Sequence, residues 1–159
     1  MLNFFNLSLL LNGFQIKEAQ SELENILTVS EIDYENYINL KKKEIVDYHL
    51  KHNKSYQDFV GKTSFENWEK LPIMTKKEFQ KPLAERLSEG FTPSSVYVNK
   101  TSGSSGDPFI FAKDKFCHAL TWSNNIYHFG KFGIDFNTSL QARFLWNPIR
   151  FYRQQKRAN

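Results

Sequence analysis

The chain has 159 residues, of which 40% are hydrophobic and 24% charged, proportions expected of a soluble globular domain and not of a disordered or transmembrane chain. Its formal net charge of +4 resides in residues 145–159, where Arg150, Arg153, Lys156 and Arg157 stand without an acid; the preceding residues sum to zero, which removes the case for a nucleic-acid-binding surface. The single cysteine, Cys117, allows no intrachain disulfide and, without paired Cys/His spacing, no zinc site is expected; it fits a reducing, cytoplasmic setting.

The N-terminal run from Leu2 to Leu11 is apolar, but it lacks a basic leader and a small-residue cleavage site. It is also shorter than the ~20 apolar residues that cross a bilayer. A helix packed on the domain is expected, with no membrane partner. From Ser30 the pattern is helical. Ser30 and Asp33 have capping-box spacing, and Tyr34, Ile38, Ile45 and Tyr48 or His49 recur on one face until the helix fades near His52 and Asn53. Lys41, Lys42 and Lys43 read as its solvated side. His49 and His52 stand three apart with no third ligand nearby, so no metal is expected there.

Residues 53–62 are polar, contain Gly61, and read as a loop. Trp68 anchors a short helix or turn before Leu71 and Pro72. Thr75 and Glu78 again have capping-box spacing, with Phe79, Leu83 and Leu87 following on one helical face; Pro82 conflicts with a continuous helix and marks a break. Two short β-branched and aromatic runs, Val96-Tyr97-Val98 and Phe109-Ile110-Phe111, then predict strands on either side of Thr101-Ser102-Gly103-Ser104-Ser105-Gly106-Asp107-Pro108. That octapeptide has four hydroxyls, two glycines and almost no bulk. Successive backbone N–H groups and hydroxyls of such a segment can wrap a phosphate. A flexible Gly/Ser linker has the same composition, but the flanking strands argue against it.

After the second strand, residues 113–131 read as a helix with Phe116, Leu120, Asn124 and Tyr127 on one face. His118, Trp122 and His128 are site candidates whose default is a core or surface role on a long helix, and Cys117 reads as a small buried residue. A further strand is expected to begin in residues 139–144.

Thr-Ser-Gly-Ser-Ser-Gly-Asp-Pro resembles the phosphate-binding loop of the adenylate-forming enzymes, which activate carboxylic acids with ATP to give an acyl-adenylate and pyrophosphate. Leu71-Pro72-Ile73-Met74-Thr75-Lys76-Lys77-Glu78-Phe79 upstream narrows the resemblance to the branch of phenylacetate–CoA ligase and the CapK-type capsular polysaccharide proteins. Enzymes of that family are more than twice as long, so the resemblance spans nearly all of this chain and roughly the first third of such an enzyme. It implies an α/β fold: a helical N-terminal part, then the first strands and a packing helix of the large N-terminal domain, incomplete. The implied cofactors are ATP and Mg²⁺, and the implied partners a carboxylic acid and CoA.

On the matching positions, Thr101, Ser102, Ser104 and Ser105 would donate to phosphate oxygens, while Gly103 and Gly106 would allow close approach. Asp107 stands where many superfamily members carry Lys, so that cation is lacking. The family's aromatic-Thr/Ser-Glu motif, its ribose-binding Asp and its catalytic Lys would all follow the stretch that matches. The chain is therefore expected to be an N-terminal fragment without catalytic residues of its own, inactive alone and with an uncovered sheet edge. Two alternatives are a small nucleotide- or phosphate-binding module and a noncatalytic subunit completed by a remainder encoded downstream.

Residues 1–144 form the matching portion. Residues 145–159 fit neither strand nor helix periodicity and no longer resemble the family. Family members continue after Ala-Arg-Phe with a Tyr-Gly-Ile-Pro type of sequence. Removing one base from a run of T in A/T-leaning codons at Phe144 and Leu145 restores Phe-Tyr-Gly-Ile-Pro, the single Trp146 codon forcing the glycine. A basic tail produced by a frameshift is thus expected, a reading that sequencing of the gene decides.

Overall fold

A computed structural model describes residues 4–61, 67–101 and 108–140. Helix α1 (Phe4–Leu11) stops where glycine permits a left-handed turn. Gly13 has φ 77°, its N–H donates to the Leu10 carbonyl (2.8 Å), and the Phe14 N–H reaches back to the Leu9 carbonyl (3.0 Å). This Schellman turn folds α1 against α2 (Ile16–Leu27), whose Ile16, Ala19 and Leu23 form a buried stripe.

That stripe packs on α6 (Lys115–Gly130), where Ala19 of α2 and Ala119 of α6 are both 0% exposed. Ser123 lies one turn on from Ala119 and sends its Oγ hydrogen back to the Ala119 carbonyl (3.0 Å). The buried face of α6 is therefore its small-residue line, which lets the helices approach closely, and not the expected row. Within that row Phe116 and Leu120 are half-buried, but Asn124 and Tyr127 are exposed. Asp114 caps α6 by accepting from the Cys117 N–H (2.6 Å).

Helix α3 (Glu31–His52) begins as expected, with the Ser30 hydroxyl accepting from the Asp33 N–H (3.2 Å) and donating to the Asp33 carboxylate (2.6 Å). Its buried residues are Val46 and Leu50; the row of Tyr34, Ile38, Ile45 and Tyr48 is left largely uncovered. The lysine cluster is a solvated face: Lys41 pairs with Glu44, Lys43 with Asp47, and Lys42 lies over the Trp68 ring.

The segment expected to be a loop contains helix α4 (Lys54–Val60). Asn53 caps it through the Tyr56 N–H (2.9 Å), Lys54 pairs with Asp58 one turn on (2.7 Å), and Gly61 closes it at φ 66°. Asn53 also ends α3. Its amide reaches the Arg86 carbonyl (2.9 Å) and the Ser88 hydroxyl (3.1 Å), tying the α3–α4 corner to the segment that leads to the sheet.

Trp68–Lys70 is one 3₁₀ turn and Glu78–Gln80 another. Pro82, at φ −49° and ψ 140°, separates the second from helix α5 (Leu83–Arg86), so the break holds and one long helix does not form. Strands β1 (Tyr97–Lys100) and β2 (Ile110–Lys113) pair antiparallel, Tyr97 opposite Lys113 and Lys100 opposite Ile110. The described residues thus form a helix-rich mixed α/β arrangement with one two-stranded antiparallel sheet. Both strands begin one residue later and end two residues later than the aromatic runs that predict them.

Ser139 is not in a strand; its hydroxyl accepts from the Asp135 N–H (2.9 Å) in a tight turn. Leu140 is not in a strand either, and residues 141–144 of that expected strand, with residues 145–159, lie outside the described residues. Among the described residues no helix is long and apolar enough to cross a membrane.

Candidate functional site

The octapeptide connects β1 to β2. Its first residue, Thr101, extends the ladder beyond the strands, since its N–H donates to the Phe109 carbonyl (2.9 Å) and its Oγ1 accepts from the Phe109 N–H (2.9 Å). The two hydrogen bonds fix the distance between the ends of the connection. They also orient the Thr101 side chain, whose hydroxyl, in accepting from Phe109, keeps its own hydrogen for donation. Of the other expected phosphate-binding residues, Ser102, Gly103, Ser104, Ser105 and Gly106 lie outside the described residues, as does Asp107.

The upstream motif meets the base of this connection. Phe79 packs edge-on against Phe109, with ring centroids 5.1 Å apart, and Phe109 lies 5.7 Å from Phe111. The Arg86 guanidinium lies 5.9 Å from the Phe79 ring and donates to the Ile110 carbonyl (2.8 Å) and the Lys81 carbonyl (2.9 Å). Because Thr101 and Phe109 form a hydrogen-bonded pair, Ile110 directs its carbonyl to the outer edge of β2, where Arg86 satisfies it. On the outer edge of β1 the Lys100 N–H is met by the Asn99 side chain (2.7 Å). Burial lowers the pKa of Arg86 without removing its charge at neutral pH.

Upstream of Phe79, Glu78 accepts from both the N–H (2.7 Å) and the hydroxyl (2.5 Å) of Thr75. The hydroxyl bond, then the backbone bond, holds the Glu78 carboxylate below its ordinary range. The expected Thr75–Glu78 capping pair therefore exists, but it closes a single turn and starts no long helix.

Two of the remaining candidates on α6, His118 and Trp122, pack together. The His118 ring stacks on Tyr97 at 3.6 Å and lies 4.9 Å from Phe14, while its Nε2 accepts from the Trp122 indole N–H (3.1 Å). That bond places the imidazole proton on Nδ1, which is buried without a hydrogen-bond partner. Burial first, and the Lys113 ammonium second, depress the His118 pKa, so the ring is held neutral. Trp122 and Phe5 are 5.0 Å apart, completing an aromatic cluster between α1 and α6. His128 is exposed on the last turn of α6.

Cys117 is exposed and not the buried residue expected; its position beside the α6 cap turns it away from the Ala119–Ser123 line. Partial burial and the Asp114 carboxylate push its thiol pKa up, the opposite of an activated nucleophile. His49 faces the Ser88 hydroxyl across 3.4 Å and His52 faces Glu89 across 3.7 Å; among the described residues there is no group of three or more His, Cys, Asp or Glu that could hold a metal ion.

Reasoning from sequence missed Arg86 and the double role of Asn53. Arg86 carried no signal, since its acceptor is 24 residues away. Asn53 did carry one, because Asn followed by a Lys–Asp pair at i, i+4 and then Gly is a short capped helix. Comparisons with protein-family models, curated proteins and solved structures find no match to the chain.

Proposed function

We propose that this chain supplies the phosphate-binding part of an ATP-dependent, AMP-forming carboxylate-activating ligase of the phenylacetate–CoA ligase and CapK type. The observation that carries the reading is the doubly bonded Thr101–Phe109 pair with Phe79 packed on it, which brings the two resembling motifs to one end of the hairpin. On this reading the hairpin and α6 belong to the large N-terminal domain of such an enzyme. Residues 102–106 present N–H groups and hydroxyls to the phosphates of ATP, with the Thr101 hydroxyl donating alongside them. These donors would stabilise charge as a carboxylate oxygen attacks the α-phosphorus and pyrophosphate leaves.

The chain alone is proposed to bind phosphate groups weakly and to catalyse no adenylation. Pyrophosphate or ATP titrated into the ¹⁵N-labelled chain should shift the Thr101 and Phe109 amide resonances at millimolar concentration, and Thr101→Val should abolish the shifts. Acid-dependent exchange of pyrophosphate into ATP should be absent. Amides that stay still, or that move equally in Thr101→Val, would overturn the phosphate-binding assignment; measurable exchange would overturn the claim of inactivity.

A further inference from the structure

Helix α3 carries a row that the other described residues leave largely uncovered: Tyr34, Ile38, Lys41, Ile45, Tyr48 and His52. Tyr34 is 57% exposed, Ile45 49% and Tyr48 39%. The spacing alternates 4, 3, 4, 3, 4 residues, the period of a helix-to-helix seam, sustained over a length of about 27 Å at 1.5 Å per residue. The buried Val46 and Leu50 lie on another side of the helix, and its first half has no buried residue. Along the middle of the row Ile38, Ile45 and Tyr48 line a shallow groove of about 630 Å³, with Lys41, Lys42 and Glu44 on its walls.

The charges select the occupant. The first turns of α3 carry Glu31, Asp33 and Glu35 without a cation, whereas from Lys41 onward four lysines outnumber two acids. Of those lysines, Lys41 and Lys43 are already paired with Glu44 and Asp47 on the same helix. A parallel copy would set acid against acid. An antiparallel copy sets each acidic first turn opposite Lys51 of the other and also opposes the helix dipoles.

We propose that α3 is a self-association surface, on which a second copy of this chain docks antiparallel about a two-fold axis near Lys43. In that register Ile38 meets Tyr48, Lys41 lays its methylene stem along Ile45, and Tyr34 meets His52. The proposal is independent of the nucleotide reading, since it uses none of the residues that reading invokes.

Sedimentation of the full chain should give a species of twice the 18.8 kDa chain mass. Ile38→Glu with Ile45→Glu should shift it to the single-chain mass with helical circular dichroism retained. A second measurement stands even if that variant does not fold. In a Cys117→Ser background, mixing Ile38→Cys chains with Tyr48→Cys chains should yield a disulfide-linked heterodimer, while neither variant alone links efficiently. A single-chain mass for the unmodified protein at about 100 μM, well above the micromolar affinity of a modest interface, would overturn the proposal. So would undefined aggregates, capture of a different partner on the row, a dimer that survives the double glutamate change, or preferential Ile38→Cys self-linkage.

Discussion

Phe79 meets Phe109 edge to face at 5.1 Å, and through that contact a segment 22 residues upstream of Thr101 becomes part of the hairpin's base. The ring does more than fill space. It forms one side of the slot in which Arg86 reaches the Ile110 carbonyl, so losing it loosens both the base of the connection and the cover of the β2 edge. Phe79→Ala is expected to cost about 1–3 kcal/mol, below the full value for a buried phenylalanine because the site is only half-buried. Urea unfolding would register the loss, and the Thr101 and Phe109 amide shifts produced by pyrophosphate should shrink with it. Phe79→Leu should recover most of the stability, and a variant as stable as the parent would show that the contact does not hold the base.

Asn53 is 6% exposed and satisfies four needs at once: it ends α3, caps α4, and donates to the Arg86 carbonyl and the Ser88 hydroxyl. Asn53→Ala removes the cap and leaves the part-buried Arg86 carbonyl without this donor, for an expected loss of about 1–3 kcal/mol. Asn53→Asp keeps the acceptor for the Tyr56 N–H but has no amide hydrogens. Its cost should separate the two functions, falling between the parent and the alanine variant in a thermal melt.

Asn53 also marks where the sequence was readable and where it was not. Local signals held at Ser30, Thr75 and Pro82, where one residue sets its own turn, but the equally local cap at Asn53 was missed. The hairpin was legible for the same reason, since aromatic runs flank a segment that cannot enter a core. The faces of α3 and α6 were misread because periodicity shows that a helix has an apolar side without showing what packs there. On α6 the neighbour is Ala19 of α2, and only Ala119 and Ser123 are small enough to meet it closely. The contacts of Arg86 with Phe79 and with Ile110 depend on the tertiary approach of α5 to the sheet, which no local pattern encodes.

Stability should fall on mild acidification. Burial depresses the pKa of both His49 and His118 below the ordinary 6.5, so the unfolded chain takes up protons before the folded one does. Their contribution is complete above about pH 6.5 and is lost as pH falls from there toward the depressed folded values. Protonated His118 could no longer accept from the Trp122 indole. The carboxylates of Glu78 and Asp135, also depressed, act in a lower window: their contribution is present above 4.5 and 3.8, respectively, and lost below. Unfolding midpoints compared at pH 7.5 and 5.5 should show the histidine part alone, and His118→Phe should flatten that interval. An equal slope in the variant would remove His118 from the account.

Gly13 is the last test, because it isolates the turn that docks α1. At φ 77° an alanine must adopt the left-handed conformation, which costs about 1–2 kcal/mol. A Cβ there would also lie 2.7 Å from Lys115 Nζ, but that atom is the far end of a flexible side chain and can move, at the expense of its bond to the Asn12 carbonyl (3.2 Å). Backbone strain is therefore the larger effect, and the expected order of stability is Gly, then Asn, then Ala, since Asn tolerates this region better than Ala. Lys115→Met separates the two causes: it should remove the contact with a new Cβ while leaving the backbone penalty in place. If Gly13→Ala becomes harmless in the Lys115→Met background, the clash and not the left-handed turn accounts for the glycine.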